Sequence, residues 1–238
     1  MKKKIVNWIK EQVKSAGAKG ICMGLSGGID SCVVAALAKE AVGKNKLTVL
    51  FLSIHSHIQD LKDARLVARQ LGIRVKVVDL TRAYDDLLRI LPPAGNLAKI
   101  NLKPRLRMLT IYYFANKLNY LVAGTGNRAE LSVGYFTKYG DGGVDILPIG
   151  DLLKRQVRSL AQELKIPVHI ITKPPTAGLW PGQTDEGEMG LAYAELDEIL
   201  ERLRNKKPQE FSRHKVNKVK AMIRRSEHKR QKPQVCFI

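Results

Sequence analysis

Cysteine is scarce in this sequence of 238 residues, which contains only Cys22, Cys32 and Cys236. The number is odd and the spacing is wide, so neither a disulfide framework nor a CxxC or Cys/His zinc motif is present. We interpret the three residues as buried or incidental thiols in a reducing compartment.

Long hydrophobic runs are also missing. The longest of them, residues 47–54, is far too short to span a bilayer. The N-terminus is basic, but Asn7, Lys10 and Glu11 interrupt any signal-peptide core. We therefore expect a cytoplasmic protein that does not enter a membrane.

Aromatic residues make up only 6% of the chain, whereas the formal net charge is +19. Such a charge suits nucleic acid, a membrane surface or a polyanionic small molecule. Lysine and arginine recur from residue 202 to residue 232 without the interleaved aromatics that a platform for single-stranded nucleic acid requires. We favour a solvated or nucleotide-facing basic surface over nucleic-acid binding.

Short apolar segments alternate with helical patterns in the first half of the chain. Strands are predicted at residues 20–25, 47–54, 75–78 and 120–124. Helices are predicted at residues 31–42, 60–71 (with Asp60 as N-cap) and 105–118, after an amphipathic start. This order indicates an α/β fold, an open parallel sheet with helices on both faces that is Rossmann-like.

The pattern changes at about residue 145 and becomes mostly helical. Further helices are predicted at residues 152–164, 191–203 and 209–225. Residues 173–190, rich in Pro, Gly and Thr, are predicted to form a mobile loop. No linker is visible, so residues 1–238 are interpreted as one domain with a helical C-terminal part.

The strongest local signal links the first predicted strand to the helix predicted at residues 31–42. It reads Leu25-Ser26-Gly27-Gly28-Ile29-Asp30-Ser31. Such a loop can direct backbone N–H groups and two serine hydroxyls at an anion. The glycines permit positive φ angles and close approach to phosphate. Asp30 would repel phosphates unless it holds Mg²⁺. The loop lacks the lysine of GxxxxGKS/T, which serves transfer of the terminal phosphate.

This string resembles the pyrophosphatase loop of the N-type ATP pyrophosphatases, which cleave ATP between its α and β phosphates and adenylate an oxygen of the substrate. Six further segments follow in order along nearly the whole chain, at residues 124–130, 134–145, 148–156, 173–180, 184–190 and 227–230. Together with the loop, they resemble the signatures of the NAD synthetase family.

The resemblance implies an ATP- and Mg²⁺-dependent ligase of NAD biosynthesis. It would amidate deamido-NAD with ammonia through an acyl-adenylate, and would release NAD, AMP and pyrophosphate. The family is homodimeric, with the deamido-NAD site near the subunit interface. Residues 53–57 lie where family members differ, so adenine contacts there stay unassigned.

The resemblance also implies residue roles. Those for ATP are Gly24, Leu25, Ser26, Gly27, Gly28, Ile29, Asp30, Ser31, Thr125, Lys154 and Thr176. Those for deamido-NAD are Arg107, Lys138, Asp145, His228 and Lys229. Asp30 and Glu130 would be the metal ligands, and with Lys154 the catalytic residues.

Three alternatives stay open from the sequence: a tRNA-modifying ATP pyrophosphatase, a GMP synthetase, and a non-catalytic module that binds nucleotide or nucleic acid. The sulfur-transferring tRNA enzymes commonly use paired cysteines, which are missing here. Asp30 and Glu130 together argue against the non-catalytic module. The ATP-binding segment begins too early to leave room for a glutaminase domain, so we expect free ammonia unless a separate subunit supplies it.

Overall fold

A computed structural model describes residues 1–180, 182–208 and 210–236. Its strands are β1 (Gly20–Gly24), β2 (Leu47–Ser53), β3 (Val75–Asp79) and β4 (Tyr120–Val122). They form a parallel sheet in the order β3-β2-β1-β4, with Ile21 opposite Leu47 and Leu121. The central strand β1 is almost wholly buried, as expected for a parallel strand that is covered on both faces.

Helices surround this sheet and form the C-terminal part. They are α1 (Lys2–Ser15), α2 (Ile29–Val42), α3 (Ile58–Gln70), α4 (Thr81–Ile90), α5 (Asn96–Ile100), α6 (Leu102–Leu118), α7 (Arg128–Val133), α8 (Lys154–Glu163), α9 (Val168–Thr172), α10 (Asp185–Met189), α11 (Tyr193–Arg204), α12 (Arg213–Arg225) and α13 (Glu227–Arg230). In the part of the chain that the structure describes, no helix is long and apolar enough to cross a membrane.

The core has separate parts that follow this layering. The largest joins α1, α2, α3 and α8 to one face of the sheet, and a second packs α6 on the other face through Met108, Ile111 and Ala115. A third joins α7, α10, α11 and α12 around the fully buried Tyr193. The predicted α/β fold with helices on both faces and a helical C-terminal part is therefore confirmed.

Several predicted boundaries were wrong. Asp60 is not the N-cap of α3, because the helix begins at Ile58 and its N-cap is His57. Asp60 instead accepts a hydrogen bond from Lys173 Nζ at 2.7 Å. The predicted start of the last long helix, Gln209, lies outside the described residues, and α12 begins after Ser212, whose hydroxyl accepts from the Lys215 N–H.

Several short helices were not predicted, among them α4, α5, α9 and α13. The helix α4 buries only Tyr84, yet the helical spacing of Tyr84, Leu87 and Leu88 could have revealed it. Residues 173–180 and 182–184 are irregular as predicted, but α10 follows, which Thr184 caps by accepting from the Gly187 N–H. The mobility of this segment stays a prediction.

Candidate active site

A cavity of about 550 Å³ opens at the carboxyl ends of β1, β2 and β4. Ligands of open α/β sheets bind at this edge, and the volume is that of an ordinary small-molecule site. The segment after β1, the segment after β4, α6 and residues 173–188 all contribute to its wall.

The phosphate-binding loop predicted from the sequence forms one side of the cavity. Gly27 has φ +84°, and a Cβ there would come within 2.5 Å of the Asp60 carbonyl oxygen, so only glycine fits. Gly28, by contrast, is extended, with φ −82°. The hydroxyls of Ser26 and Ser31 lie 3.1 Å apart and brace the loop internally.

Backbone donors at the start of α2 remain open towards the cavity. The N-cap Gly28 offers no side chain, and the N–H groups of residues 29–31 have no acceptor among the described residues. Unpaired N–H groups at a helix N-terminus, together with the helix dipole, favour an anion such as phosphate.

Lys154 holds two carboxylates beside this anion site. Its Nζ lies 2.5 Å from Asp30 Oδ2 and 3.6 Å from Glu130 Oε1, and the side chain is 2% exposed. Asp30 stands in the first turn of α2, Glu130 in the first turn of α7, and Lys154 at the first position of α8. The fold therefore brings together the three residues that the sequence analysis assigned to catalysis.

Asn127 links the two acids. This fully buried side chain is the N-cap of α7: its Oδ1 accepts from the Glu130 N–H at 3.1 Å, and its Nδ2 donates to Asp30 Oδ1 at 3.3 Å. Glu130 Oε2 accepts in return from the Asn127 N–H, which completes a capping box. Glu130 thus caps its own helix and also faces Lys154.

The electrostatics of this cluster leave negative charge uncompensated. Burial and the nearby Asp30 raise the pKa of Glu130 to about 8, although Lys154 opposes the shift. Burial and Asp30 also raise the pKa of Asp185. For Lys154, burial alone would lower the pKa, but Asp30 and Glu130 together raise it. One ammonium group cannot neutralise three carboxylates in a low-dielectric site.

Cations also contact the cavity away from these acids. Arg107, on α6, donates to the Leu52 carbonyl at 3.0 Å, and no carboxylate of the described residues lies within 4.0 Å of its guanidinium. Lys229 donates to the carbonyls of Gly134 and Phe136 at 2.8 and 2.9 Å. Lys138, outside the cavity lining, donates to the His228 carbonyl. Carbonyl oxygens thus accept hydrogen bonds from all three cations, and the charge of Asp141 acts on Arg107 and Lys229 from further away.

The other predicted residues differ in whether they line the cavity. Thr125 and Thr176 line the cavity, whereas Lys138, Asp145 and His228 do not. Asp145 accepts from the Val122 N–H and from the Tyr112 hydroxyl, both at 2.7 Å, which fixes it at the end of β4. The cavity-lining residues among those predicted are Gly24, Leu25, Ser26, Gly28, Ile29, Asp30, Ser31, Arg107, Thr125, Glu130, Lys154, Thr176 and Lys229.

Several polar residues of the site were missed from the sequence. The Tyr193 hydroxyl lies 3.1 Å from Glu130 Oε1 of the acid cluster and 3.1 Å from Asp185 Oδ2. Lys173 bridges Asp60 and Asp63 at 2.7 and 3.0 Å. The segment 184–190 was noticed as a motif, but no local signal indicated that Asp185 would face Glu130, since the contact joins distant parts of the chain.

Comparison with known proteins gives consistent matches. Residues 1–233 match a family profile described as NAD synthase. The chain is 49% identical over 240 residues to the NH₃-dependent NAD⁺ synthetase of Carboxydothermus hydrogenoformans, covering 99% of this chain and 96% of that protein.

Solved structures with the same fold include the NMN synthetase of Francisella tularensis, with a TM-score of 0.91 and 37% identity, covering 100% of this chain and 97% of that one. Another is the NH₃-dependent NAD synthetase of Campylobacter jejuni, with a TM-score of 0.86 and 27% identity, covering 99% and 97% of the two chains.

Proposed function

Because the chain belongs to the NAD synthase family, we propose that it uses ATP to join ammonia to the carboxylate of deamido-NAD, with release of NAD, AMP and pyrophosphate. The observation that carries this proposal is the position of Lys154 between Asp30 and Glu130, beside the open N-terminus of α2. This arrangement suits ATP cleavage at the α-phosphorus, which needs anion donors and cations close together.

A carboxylate is a poor electrophile, so the reaction has to activate it first. An oxygen of the nicotinate carboxylate attacks the α-phosphorus of ATP, the bond to the β-phosphate oxygen breaks, and pyrophosphate leaves. Ammonia then attacks the carbonyl carbon of the acyl-adenylate, AMP departs with the bond electrons, and one proton is released to give the neutral amide. No covalent bond to the protein forms, so the protein acts by positioning and charge stabilisation.

The chain's own groups divide this work. The N–H groups of residues 29–31 would bind phosphate oxygens, and Lys154 would offset charge as pyrophosphate leaves. We assign Thr125 and Thr176, which line the same cavity, to ATP. We assign Arg107, Lys138 and Lys229 to deamido-NAD, since cations that donate to carbonyls keep charge available for its phosphates. We assign Asp145 and His228 to the same substrate from the family resemblance alone.

Mg²⁺ fits the acid cluster. Asp30 and Glu130 supply hard oxygen ligands and an excess of negative charge. Among the described residues, no three His, Cys, Asp or Glu side chains form a metal site by themselves. Mg²⁺ commonly uses one or two carboxylates plus substrate phosphates, so these two acids would hold it only together with ATP. When bound, it would neutralise phosphate charge in the transition state.

The structural match to an enzyme named NMN synthetase favours a second candidate substrate, the nicotinate mononucleotide. Both candidates present the same carboxylate to ATP, so the acid cluster does not distinguish them. A comparison of kcat/KM for deamido-NAD and for nicotinate mononucleotide decides which of the two is the preferred substrate. We expect the dinucleotide to be preferred, as the names of the curated relatives suggest.

We also propose a homodimer and a cytoplasmic location, where ATP is abundant. Leu109 and Tyr113 on α6 are 68% and 63% exposed and form an apolar surface on this helix. Lys76 Nζ lies 4.8 Å from the Phe114 ring centroid, so the edge strand β3 lies beside α6. A second copy of the chain would cover this apolar surface, and Leu109→Glu should then yield a monomer in light scattering, whereas a monomeric wild type would contradict the dimer.

The function is tested by incubating the protein with ATP, Mg²⁺, ammonium and deamido-NAD and identifying the products. We expect NAD, AMP and pyrophosphate in equal amounts, with ammonium sufficient as nitrogen donor. Formation of ADP and phosphate would refute the proposal. Binding of tRNA with turnover of ATP, in the absence of deamido-NAD, would instead favour the tRNA-modifying alternative.

A further inference from the structure

Helix α11 lies outside the cavity, yet it contacts the acid cluster in two places. Tyr193, at its first position, is fully buried and does not line the cavity. Its hydroxyl lies 3.1 Å from Glu130 Oε1 and 3.1 Å from Asp185 Oδ2. Its ring centroid lies 4.8 Å from Lys154 Nζ, which is within the range of a cation–π contact.

Asp197, one helical turn after Tyr193, fixes the backbone of the same lysine. Its two carboxylate oxygens accept from the N–H groups of Lys154 and Arg155 at 3.2 and 2.9 Å. The helix α11 therefore holds Lys154 at its main chain through Asp197 and at its ammonium group through the Tyr193 ring.

We propose that Tyr193 is a positioning residue. It keeps the Glu130 carboxylate in the orientation that binds a divalent cation, and it keeps the Lys154 ammonium group beside that carboxylate. Glu130 is fastened at both oxygens: Oε2 accepts from the Asn127 N–H at 3.1 Å, and Oε1 accepts from the Tyr193 hydroxyl. Two bonds of this kind fix the plane of the carboxylate. This inference rests on the proposed function, in which Glu130 and Asp30 hold Mg²⁺ together with ATP.

Loss of the hydroxyl would leave Oε1 with one close partner, the Lys154 ammonium group at 3.6 Å. The freed carboxylate can then rotate onto Lys154 and form a tight ion pair, which competes with the metal. The Tyr193 hydroxyl has one proton, which lies between Glu130 Oε1 and Asp185 Oδ2, and Asp185 Oδ1 is 3.1 Å from the Tyr135 hydroxyl. The Tyr193 hydroxyl therefore separates the Glu130 carboxylate from that of Asp185.

The alternative is that Tyr193 only fills the core of the C-terminal part, where it packs with Leu196 and Met189. Tyr193→Phe separates the two roles, since phenylalanine keeps the ring and its contact with Lys154 and loses only the hydroxyl. Tyr120→Phe is the matched control, because the Tyr120 hydroxyl donates to the Asn45 carbonyl at 3.4 Å, outside the site.

The test measures Mn²⁺ affinity by electron paramagnetic resonance, with α,β-methylene-ATP present so that no turnover occurs. We expect Tyr193→Phe to weaken Mn²⁺ binding about 10-fold, the size typical of a lost partner behind a metal ligand. Tyr120→Phe should leave the affinity unchanged. Replacement of Tyr193 by 4-aminophenylalanine restores a donor at the same place and should restore the affinity to within about 3-fold of wild type.

Equal Mn²⁺ affinity in Tyr193→Phe and wild type would overturn the inference, and so would failure of the 4-aminophenylalanine variant to recover it. If Tyr193→Phe does not fold, the 4-aminophenylalanine variant carries the test alone, since a 10-fold loss there contradicts a donor role. A wild type that binds no Mn²⁺ with the nucleotide analogue would instead count against the proposed metal site and the function built on it.

Discussion

Around Lys154, carboxylates outnumber the single ammonium group, whereas Arg107 and Lys229 bond to carbonyl oxygens of their own chain. The first region holds negative charge that an incoming cation has to offset, as the raised pKa of Glu130 indicates. The second holds two cations whose hydrogen-bond acceptors are neutral carbonyls and which face one acid, Asp141, so positive charge remains for an anionic substrate. Fixed charge can thus prepare one cavity for a metal and for a polyanion at the same time.

The largest expected effect comes from removing the one cation of the acid cluster. Lys154→Ala should lower kcat by roughly 10²- to 10³-fold, because a preorganised charge donor at the phosphates is lost. Steady-state release of pyrophosphate measures the effect. Lys10→Ala, an exposed lysine on α1, is the control. An unchanged kcat would remove Lys154 from the catalytic machinery.

The second effect concerns the carbonyl-bonded cations. Lys229→Ala should raise KM for deamido-NAD by about 10- to 100-fold, as expected when a charged hydrogen-bond donor is lost, and should change KM for ATP much less. Initial rates at varied concentrations of each substrate test this split. Equal changes in both KM values would mean that the two regions do not divide the substrates, and Lys220→Ala on α12 serves as the control.

The third prediction is a substitution that raises the free energy of unfolding, whereas most substitutions lower it. The pKa of Glu130 is about 8 in the folded protein, against an ordinary value of 4.5, so folding binds a proton in this interval and wild-type stability falls as pH rises from 4.5 to 8. Glutamine does not ionise, so the stability of Glu130→Gln does not fall in this pH interval. Without metal, we expect the variant to be more stable than wild type by about 1 to 2 kcal/mol at pH 8.5.

Urea unfolding at two pH values checks the Glu130 prediction. At pH 4.5 the difference between Glu130→Gln and wild type should shrink, because the wild-type carboxyl is then largely protonated in the folded state. The variant should also lose catalysis. If the variant is less stable than wild type at pH 8.5, ionisation of Glu130 does not destabilise the metal-free protein, and the prediction is wrong.

The smallest effect is expected at Asp145, which we assign to deamido-NAD and which accepts two hydrogen bonds. Tyr112→Phe removes one hydrogen bond to Asp145 and leaves the one from the Val122 N–H. We expect a loss of about 1 kcal/mol in the free energy of unfolding and a change in KM for deamido-NAD of about 3-fold or less. A large rise in KM would mean that the Tyr112 hydroxyl is needed to orient Asp145 towards the substrate.

The sequence was most informative where function depends on a local string. The loop of residues 25–31, which we propose binds phosphate, could be predicted from its paired glycines, and in the structure Gly27 adopts a positive φ and α2 begins without a side-chain cap. β1 and β2 were visible because parallel strands that are buried on both faces read as short apolar runs. These features are encoded within about ten neighbouring residues.

Other features depend on contacts that no local pattern encodes. Tyr193 reads as one more aromatic residue at the start of a helix, and only the packing of α11 against α7 and α8 brings it to Glu130. The role of Asp60 was misread for a similar reason, because a first-turn aspartate looks like a helix cap until Lys173 is found beside it. Long-range polar contacts therefore mark the limit of the sequence argument.

The fate of the carboxylate oxygen tests the central claim most directly. Deamido-NAD labelled with ¹⁸O in its nicotinate carboxylate is turned over with ATP and ammonium, and the products are examined by mass spectrometry and ³¹P NMR. Attack on the α-phosphorus predicts that AMP gains one ¹⁸O atom and that pyrophosphate gains none. Label in pyrophosphate or phosphate, or AMP without label, would contradict the account.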